Sequence, residues 1–405
     1  MPVVFDDVVE AAARIRDYVV ATPSLPATAL TARLGVDCRL KLETRQRTGS
    51  FKDRGAANRM LRLSESERRA GVIAMSAGNH AQAVAYQGKR LGVPATIVMP
   101  ENTPFTKVRR TEGFGAKVVL AGQNLTEAGE RAQILARESG ATIVHPYDNA
   151  DVIAGQGTAG LEFLQTFDDL DVLLVPVGGG GLISGVAIAA KGLRPSIRIV
   201  GVQTTEYPSL QRMLDGEPAV QGGQTIAEGI AVKTIGERNF AIARELVDDV
   251  LVVGEAAIEE AIHVLLEDEK VLTEGAGAAP VAALMEHHAE FSGKKVGIVI
   301  SGANIDTGLL ANVINRIRLR EGRVVRMRVE IAARPGVLAD VAQIIGECGA
   351  NILEVEHQRL LADVPSKNAG LDITFETRSP DDLGRIRERL HDAKYATSVL
   401  ESSAR

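Results

Sequence analysis

Cysteine and clustered positive charge are both scarce in this chain of 405 residues. The two cysteines, Cys38 and Cys348, lie far apart without metal-binding or redox spacing, which is typical of reduced thiols in a cytoplasmic protein. Acids and bases are mixed, the net charge is −6, and no basic block occurs, so we expect no nucleic-acid partner. The start has no basic flank or long apolar stretch, so we expect neither a signal peptide nor a membrane span.

The length and the 45% hydrophobic content predict two or three globular domains with a large core. Short apolar runs alternate with helical patterns, such as 80–91 and 125–138, over most of the chain. This alternation predicts an α/β fold with parallel sheets covered on both faces. The predicted strands are 72–75, 95–99, 117–120, 141–144, 172–177, 198–202 and 296–300.

The last part of the chain has a different order of elements, βαββαβ, which is that of a ferredoxin-like domain. A charged run at 319–323 marks the boundary. We therefore predict a first domain at 1–320, with a smaller subdomain at about 48–150, and a second domain at 325–405. The predicted elements of the second domain are strands at 324–332, 351–360, 371–377 and 395–400 and helices at 336–348 and 381–390.

The most informative run is TGSFKDRGA at 48–56, where Lys52 lies between Phe51 and a helix start. A lysine normally exposes its hydrated ammonium, and burial lowers its pKa and makes it a candidate for Schiff-base chemistry. The alternative is an ordinary helix start with solvated charges. One short run does not decide between the two.

Four consecutive glycines, Gly178, Gly179, Gly180 and Gly181, follow a predicted strand and precede a helical pattern that includes Leu182. Without side chains, their backbone N–H groups can approach an anion at the positive end of a helix, which predicts a phosphate site. The spacing differs from the dinucleotide fingerprint and from the nucleoside-triphosphate loop. The alternative is a tight turn, for which one or two glycines would be enough.

Two further polar segments follow predicted strands, SAGNH at 76–80 and SGAN at 301–304. The first can hold a carboxylate on backbone N–H groups, or it is a plain helix N-cap. Ser301 either contacts a ligand at the carboxyl end of its strand or caps the next helix. Glu274 either lies near the same ligand or is an acid favoured by a helix dipole. His80 has no second ligand at a metal-binding spacing, so we expect no metal there.

In this order, the four segments resemble the fold-type II pyridoxal-phosphate enzymes, and most closely the threonine dehydratases (threonine ammonia-lyases). Four matches in the family's order are more specific than any one of them. The tail resembles a regulatory ACT domain through RPGVL at 334–338 and GANI at 349–352. The resemblance implies two parallel-sheet α/β subdomains followed by a ferredoxin-like ACT domain.

The resemblance also implies roles for individual residues. Lys52 would link pyridoxal 5'-phosphate as an imine and, once freed, remove the substrate's α-proton. Phe51 would pack near the ring, Asn79 would bond its hydroxyl, and Ser301 would meet its nitrogen, giving a weaker electron sink that favours elimination. The residues implied for the cofactor phosphate are Gly178, Gly179, Gly180, Gly181 and Leu182, and those for the substrate carboxylate are Ser76, Gly78, Asn79 and His80.

The implied reaction converts L-threonine to 2-oxobutanoate and ammonia, and L-serine to pyruvate. Similar racemases carry a second serine in the 76–80 loop, where this chain has Ala77, so racemisation is disfavoured. Related serine racemases also bind a divalent ion near a position resembling Glu206. The residues downstream of Glu206, at 210–212, are Leu, Gln and Arg, which supply no matching carboxylate, so we assign no metal.

For the tail, the resemblance implies an amino-acid effector, isoleucine or valine, and a homodimer or homotetramer. Plain turn chemistry is the alternative explanation of these segments. The residues implied for the effector are Arg334, Pro335, Gly336, Val337, Leu338 and Asn351.

Three other functions compete with the dehydratase. The first is a serine racemase, a serine dehydratase or a β-replacement enzyme of the same superfamily. The second is an amino-acid-binding regulator with an inert catalytic half. The third, a dinucleotide-dependent oxidoreductase, disagrees with the glycine spacing.

Overall fold

The computed structural model describes residues 2–219, 222–332, 334–358, 368–379 and 381–400. The chain divides into two compact units, Met1–Ile305 and Asp306–Arg405. Within the described residues, no helix is both long enough and apolar enough to cross a membrane.

The first unit contains two sheets. The larger has the strand order β1-β2-β10-β7-β8-β9, in which β1 is antiparallel to β2 and all other pairs are parallel. The smaller has the order β5-β4-β3-β6 and is parallel throughout. The strands are β1 (Ser24–Pro26), β2 (Asp37–Leu42), β3 (Val72–Met75), β4 (Ala95–Met99), β5 (Lys117–Leu120), β6 (Thr142–Ile143), β7 (Val172–Pro176), β8 (Arg198–Thr204), β9 (Asp249–Val253) and β10 (Lys295–Ile300).

Helices cover these sheets, and all residues of β7 are buried, as expected for a central parallel strand. The helices are α1 (Phe5–Ile15), α2 (Thr28–Leu34), α3 (Lys52–Leu61), α4 (Glu65–Ala70), α5 (Asn79–Leu91), α6 (Phe105–Gly113), α7 (Leu125–Ser139), α8 (Ala150–Thr166), α9 (Gly181–Leu193), α10 (Ser209–Leu214), α11 (Glu237–Leu246), α12 (Glu255–Glu267) and α13 (Gly275–His287).

The second unit begins with a helix and continues as βαββαβ around an antiparallel sheet of order β12-β13-β11-β14. The second unit has its own core, which is formed by apolar residues of the sheet and of the two helices within the βαββαβ order. It includes Met327, Val341, Leu371 and Ile386. The elements are α14 (Thr307–Arg320), β11 (Val324–Ala332), α15 (Val337–Glu347), β12 (Asn351–Gln358), β13 (Asn368–Glu376), α16 (Asp381–Asp392) and β14 (Ala396–Val399).

The predicted fold class is confirmed, and most element limits agree within one to three residues. Residues 359–360, the predicted end of a strand, lie outside the described residues. Strands β1, β2 and β9 were not predicted from the sequence. The pattern of β2, DCRLKL, alternates but places a charged Lys41 in the interior. The contact pattern divides the chain after Ile305, which groups α14 with the second unit.

Candidate active site

Three of the predicted site segments follow strands that end at the same edge of the large sheet. Strands β2, β10 and β7 are parallel neighbours, so their carboxyl ends at Leu42, Ile300 and Pro176 lie on the same side. Ligands bind at such an edge in open α/β sheets. The lysine segment, the serine segment and the glycine turn follow these three ends.

The lysine and serine segments are joined through their backbones. Ser50 and Gly302 form an isolated antiparallel bridge, and the Phe51 N–H donates to the Ser301 carbonyl at 3.0 Å. Ser301 is 2% exposed. These contacts hold Lys52, the next residue, beside the end of β10.

Lys52 is the first residue of α3 and only part of its surface is exposed. Its Nζ donates to the Pro146 carbonyl at 2.7 Å and lies 5.0 Å from the centroid of the Phe51 ring. Burial lowers the pKa of Lys52 to about 8, against the opposing effect of the Glu274 carboxylate. About a tenth of such amines are neutral and nucleophilic at pH 7.

The glycine turn at 178–181 has no room for side chains at its centre. A Cβ on Gly179 would lie 2.4 Å from the Tyr147 ring, and one on Gly180 would lie 2.7 Å from the Asn239 Cβ. Gly180 also has a φ of +93°, which favours glycine. The turn opens α9, whose first N–H groups carry partial positive charge. Bare backbone at a helix start fits the phosphate of the expected cofactor.

Two residues predicted at the cofactor also pack against the protein core. Leu182 is buried in the core of the large sheet, so its backbone N–H is the group it can offer to a phosphate. Phe51 is half-buried against the same core.

The SAGNH loop connects β3 to α5, and residues 76–79 are partly exposed. The Gly78 N–H donates to the Ser76 Oγ at 3.2 Å. His80 is buried, and its Nε2 lies 2.8 Å from the Val144 carbonyl, so it is the donating nitrogen of a neutral ring. Burial lowers the pKa of His80 to about 3. His80 can therefore offer a carboxylate only its backbone N–H.

A chain of amides and charges crosses the site. The Asn79 Nδ2 donates to Glu274 at 2.6 Å, and the Asn79 Oδ1 accepts from Asn304 at 2.5 Å. The Asn304 Nδ2 also donates to the Thr48 carbonyl, and its Oδ1 accepts from Arg110 at 3.3 Å. Because carbonyls only accept and Arg110 only donates, the orientation of both amides is determined. The contacts with Glu274 and Asn304 therefore use one of the two N–H groups of the Asn79 amide and leave the second for another acceptor.

Glu274 immediately precedes α13, but its side chain makes no capping hydrogen bond to that helix. It points to Asn79 instead, which favours the interpretation that it belongs to the site. Burial raises the pKa of Glu274 to about 7, although the hydrogen bond from Asn79 opposes this effect.

Sequence reasoning missed a buried charge cluster behind the lysine. The Arg54 guanidinium binds Glu43 and Glu162, each at 2.7 Å, and Lys41 binds Glu162 at 2.7 Å. The side chains of Arg54 and Glu43 are both 0% exposed. The only available signal was the position of Arg54, two residues after Lys52 in the same run.

The residues predicted at the effector site lie mostly on the surface of the second unit. Asn351 is exposed and its Nδ2 donates weakly to Glu376 at 3.4 Å, whereas Val337 is only 2% exposed and belongs to the core. The other exposed members are Arg334, Pro335, Gly336 and Leu338.

Within one unit, these effector residues do not come together. Asn351 pairs with Glu376 at one end of β13, while Ala332 pairs with Asn368 at the other end. The turn at 334–338 follows Ala332. The two ends of β13 are about 25 Å apart at the usual rise of a strand.

No group of three or more His, Cys, Asp or Glu side chains that could hold a metal ion occurs within the part of the chain that is described. Glu206 follows β8 and makes none of the site contacts above. The assignment of no metal stays a prediction.

Comparisons with known proteins agree with the family resemblance that the sequence motifs indicate. The pattern of the family described as "Pyridoxal-phosphate dependent enzyme" matches residues 15–302, and that described as "ACT domain" matches residues 319–400. The L-threonine ammonia-lyase of Thermotoga maritima is 43% identical over 400 residues, which cover 98% of this chain and 100% of that protein.

Solved structures are similar to the larger part of the chain. The threonine deaminase of T.th. is 40% identical, with a TM-score of 0.71, and the match covers 75% of this chain and 99% of that one. Maize serine racemase is 35% identical, with a TM-score of 0.73, and the match covers 80% of this chain and 100% of that one.

Proposed function

The chain belongs to the pyridoxal-phosphate-dependent enzyme family, and from this we propose that it is a threonine ammonia-lyase. It converts L-threonine to 2-oxobutanoate and ammonia, and L-serine to pyruvate and ammonia. The observation that carries the proposal is a lysine of lowered pKa whose preceding residue, Phe51, donates its backbone N–H to the Ser301 carbonyl. Both lie at the sheet edge that also bears a turn with no room for side chains. The Thermotoga maritima L-threonine ammonia-lyase, similar over 98% of this chain, supports the choice of substrate.

Lys52 would hold the pyridoxal phosphate covalently, with its phosphate on the turn at 178–181 and the Leu182 N–H. Phe51, Asn79 and Ser301 would contact its ring. When bound, the cofactor supplies an electron sink for the α-carbon of the amino acid.

The protein's own groups then perform the proton transfer and the positioning. Lys52, with a pKa of about 8, can take a proton from the α-carbon as a neutral amine and carry it as an ammonium. The Pro146 carbonyl accepts a hydrogen bond from the Lys52 Nζ and holds it at that position. The N–H groups at 76–80, at the start of α5, can receive the substrate carboxylate.

Serine racemase is the second candidate, because maize serine racemase shares the fold at 35% identity. Racemisation needs a proton donor on the opposite face of the α-carbon. Ala77, in the loop proposed for the carboxylate, has only a methyl side chain and cannot donate a proton. Incubation with L-serine separates the two reactions: a lyase gives mainly pyruvate, and a racemase gives mainly D-serine.

We also propose that the chain acts in the cytoplasm as a homodimer or homotetramer, with functional limits of 1–320 for the catalytic part and 325–405 for the ACT part. Isoleucine or valine would bind at 334–338 and Asn351. Because these segments lie at opposite ends of one sheet, a site lined by both requires a second copy of the chain.

The direct test is Lys52→Ala. We expect turnover of L-threonine to fall by at least about 10³-fold, because the variant lacks both the covalent attachment and the base. The matched control is Lys191→Ala, which removes a partly buried lysine whose partner is Asp248. Equal turnover in wild type and Lys52→Ala would reject the proposal.

A further inference from the structure

One buried side chain joins both ends of the proposed cofactor site. Asn239 lies on α11 and is 0% exposed. Its Nδ2 donates to the Gly179 carbonyl at 2.9 Å and to the Tyr147 carbonyl at 3.3 Å. We call these two contacts the Asn239 bridge.

At the glycine turn, the bridge controls the direction of a peptide group. The Gly179 carbonyl accepts from Asn239 and also from the Gly236 N–H at 3.2 Å, so its oxygen is held toward the start of α11. In a planar trans peptide, the N–H of the following residue points the opposite way. The bridge therefore directs the Gly180 N–H away from α11 and keeps the Gly179 carbonyl oxygen on the α11 side. An anion bound on the side away from α11 would then face the N–H and not the carbonyl oxygen.

At the other end, the bridge holds the turn that receives the lysine. The Tyr147 carbonyl follows directly after the Pro146 carbonyl, which accepts from the Lys52 Nζ at 2.7 Å. The His145 Nδ1 stabilises the same turn by accepting from the Tyr147 N–H at 3.3 Å. The Asn239 amide thus connects the turn that accepts a hydrogen bond from the Lys52 amine with the glycine turn proposed for the phosphate.

The chemistry of the bridge restricts which side chain can form it. Two carbonyl acceptors require two N–H donors from one short side chain, and a primary amide supplies both. An aspartate would place negative charge against two carbonyl oxygens, and an alanine would leave both without this donor.

We propose that Asn239 is a positioning residue that sets the relation between the Lys52 amine and the phosphate-binding turn. The inference rests on the proposed function, because it takes the turn at 178–181 as the phosphate site. It goes further by assigning a role to a residue on α11, which none of the four sequence segments contains.

The test compares how tightly the cofactor-free protein binds pyridoxal 5'-phosphate and pyridoxal, which lacks the phosphate. Both form an imine with Lys52 that is followed by absorbance. The dissociation constant of pyridoxal divided by that of pyridoxal 5'-phosphate isolates the contribution of the phosphate, and it falls when the phosphate is bound less tightly. In Asn239→Ala, we expect this ratio to fall about tenfold, because two hydrogen bonds are lost. In Asn239→Asp, we expect a larger fall, about a hundredfold, because negative charge approaches the phosphate.

Asn58→Ala is the matched control. Asn58 is also buried, donates to the Asp151 carbonyl and accepts from Arg14, but it does not contact the turn. A general loss of packing would weaken both ligands equally, so the ratio should stay at the wild-type value. If Asn239→Ala does not fold, Asn239→Ser retains one donor and should give an intermediate ratio.

The outcomes separate this inference from the proposed function. A wild-type protein that fails to bind pyridoxal phosphate would reject the proposed function itself. A wild type that binds it, with Asn239 variants whose ratio stays within twofold of the wild-type value, would reject the bridge alone.

Discussion

At the scale of single residues, the site depends on two groups with displaced pKa values. Burial lowers the pKa of Lys52 to about 8 and raises that of Glu274 to about 7. The two groups therefore titrate close together, although their ordinary values are far apart. Such pairs are typical of sites that transfer protons near neutral pH.

Replacing Glu274 by glutamine should shift the reactivity of Lys52 to lower pH. The Glu274 carboxylate raises the pKa of Lys52, so a neutral amide should move the pKa below about 8. The pH dependence of imine formation with pyridoxal phosphate measures this shift. Glu65→Gln, which changes an exposed ion pair with Arg69 on α4, should leave the midpoint unchanged, and an upward shift in Glu274→Gln would contradict the prediction.

The same variant should change how stability depends on pH. Because the pKa of Glu274 rises from 4.5 to about 7 on folding, the folded state binds the proton more tightly than the unfolded state. Its contribution to stability is therefore present below pH 4.5 and is lost as the pH rises to about 7. Thermal midpoints across this window should fall less steeply in Glu274→Gln than in wild type.

At the scale of secondary-structure elements, buried charges fix the helix that carries the lysine. Arg54 of α3 contacts Glu43, just after β2, and Glu162 of α8. The contacts connect three parts of the first unit behind the site. Because all the charges have partners, the cluster orients α3 without leaving an isolated buried ion.

Glu43→Ala should lower the free energy of unfolding by about 3–5 kcal/mol, because it removes the fully buried partner of Arg54 and leaves the two cations Arg54 and Lys41 with Glu162 alone. Chemical denaturation of the cofactor-free protein measures the change. The control is Glu65→Ala, which breaks an exposed ion pair with Arg69 and should cost less than about 1 kcal/mol. A similar loss in both variants would show that the buried pair contributes no more than an exposed one.

At the scale of the whole molecule, a second compact unit with its own core follows the catalytic one. Its pattern matches the ACT domain over residues 319–400. A unit of this kind can act as a sensor only if its ligand distinguishes between states of the enzyme.

Isoleucine at one hundred times its dissociation constant should stabilise the chain by about 2.7 kcal/mol if it binds the folded state alone. The thermal midpoint should rise accordingly, and the velocity curve for L-threonine should change. Asn351→Ala should abolish both effects. Gln343→Ala, an exposed change on α15 outside the proposed site, should retain them.

The amino-acid sequence was sufficient to predict the family, the cofactor and the ACT tail, and the comparisons confirm them. Local patterns carried this information. A glycine run marks a turn without side chains, strand and helix periods are visible within short windows, and the lysine segment has a characteristic order.

Only the tertiary structure revealed the partners of these segments. Glu274, Asn239 and Glu43 lie 222, 187 and 9 positions from Lys52 in the printed sequence, yet each contributes to the surroundings of the lysine or to its helix. Hydrogen bonding and desolvation act over a few ångströms of space, and sequence separation does not reveal such distances. The order of residues thus determined which chemistry the chain contains, and folding decided which groups adjust it.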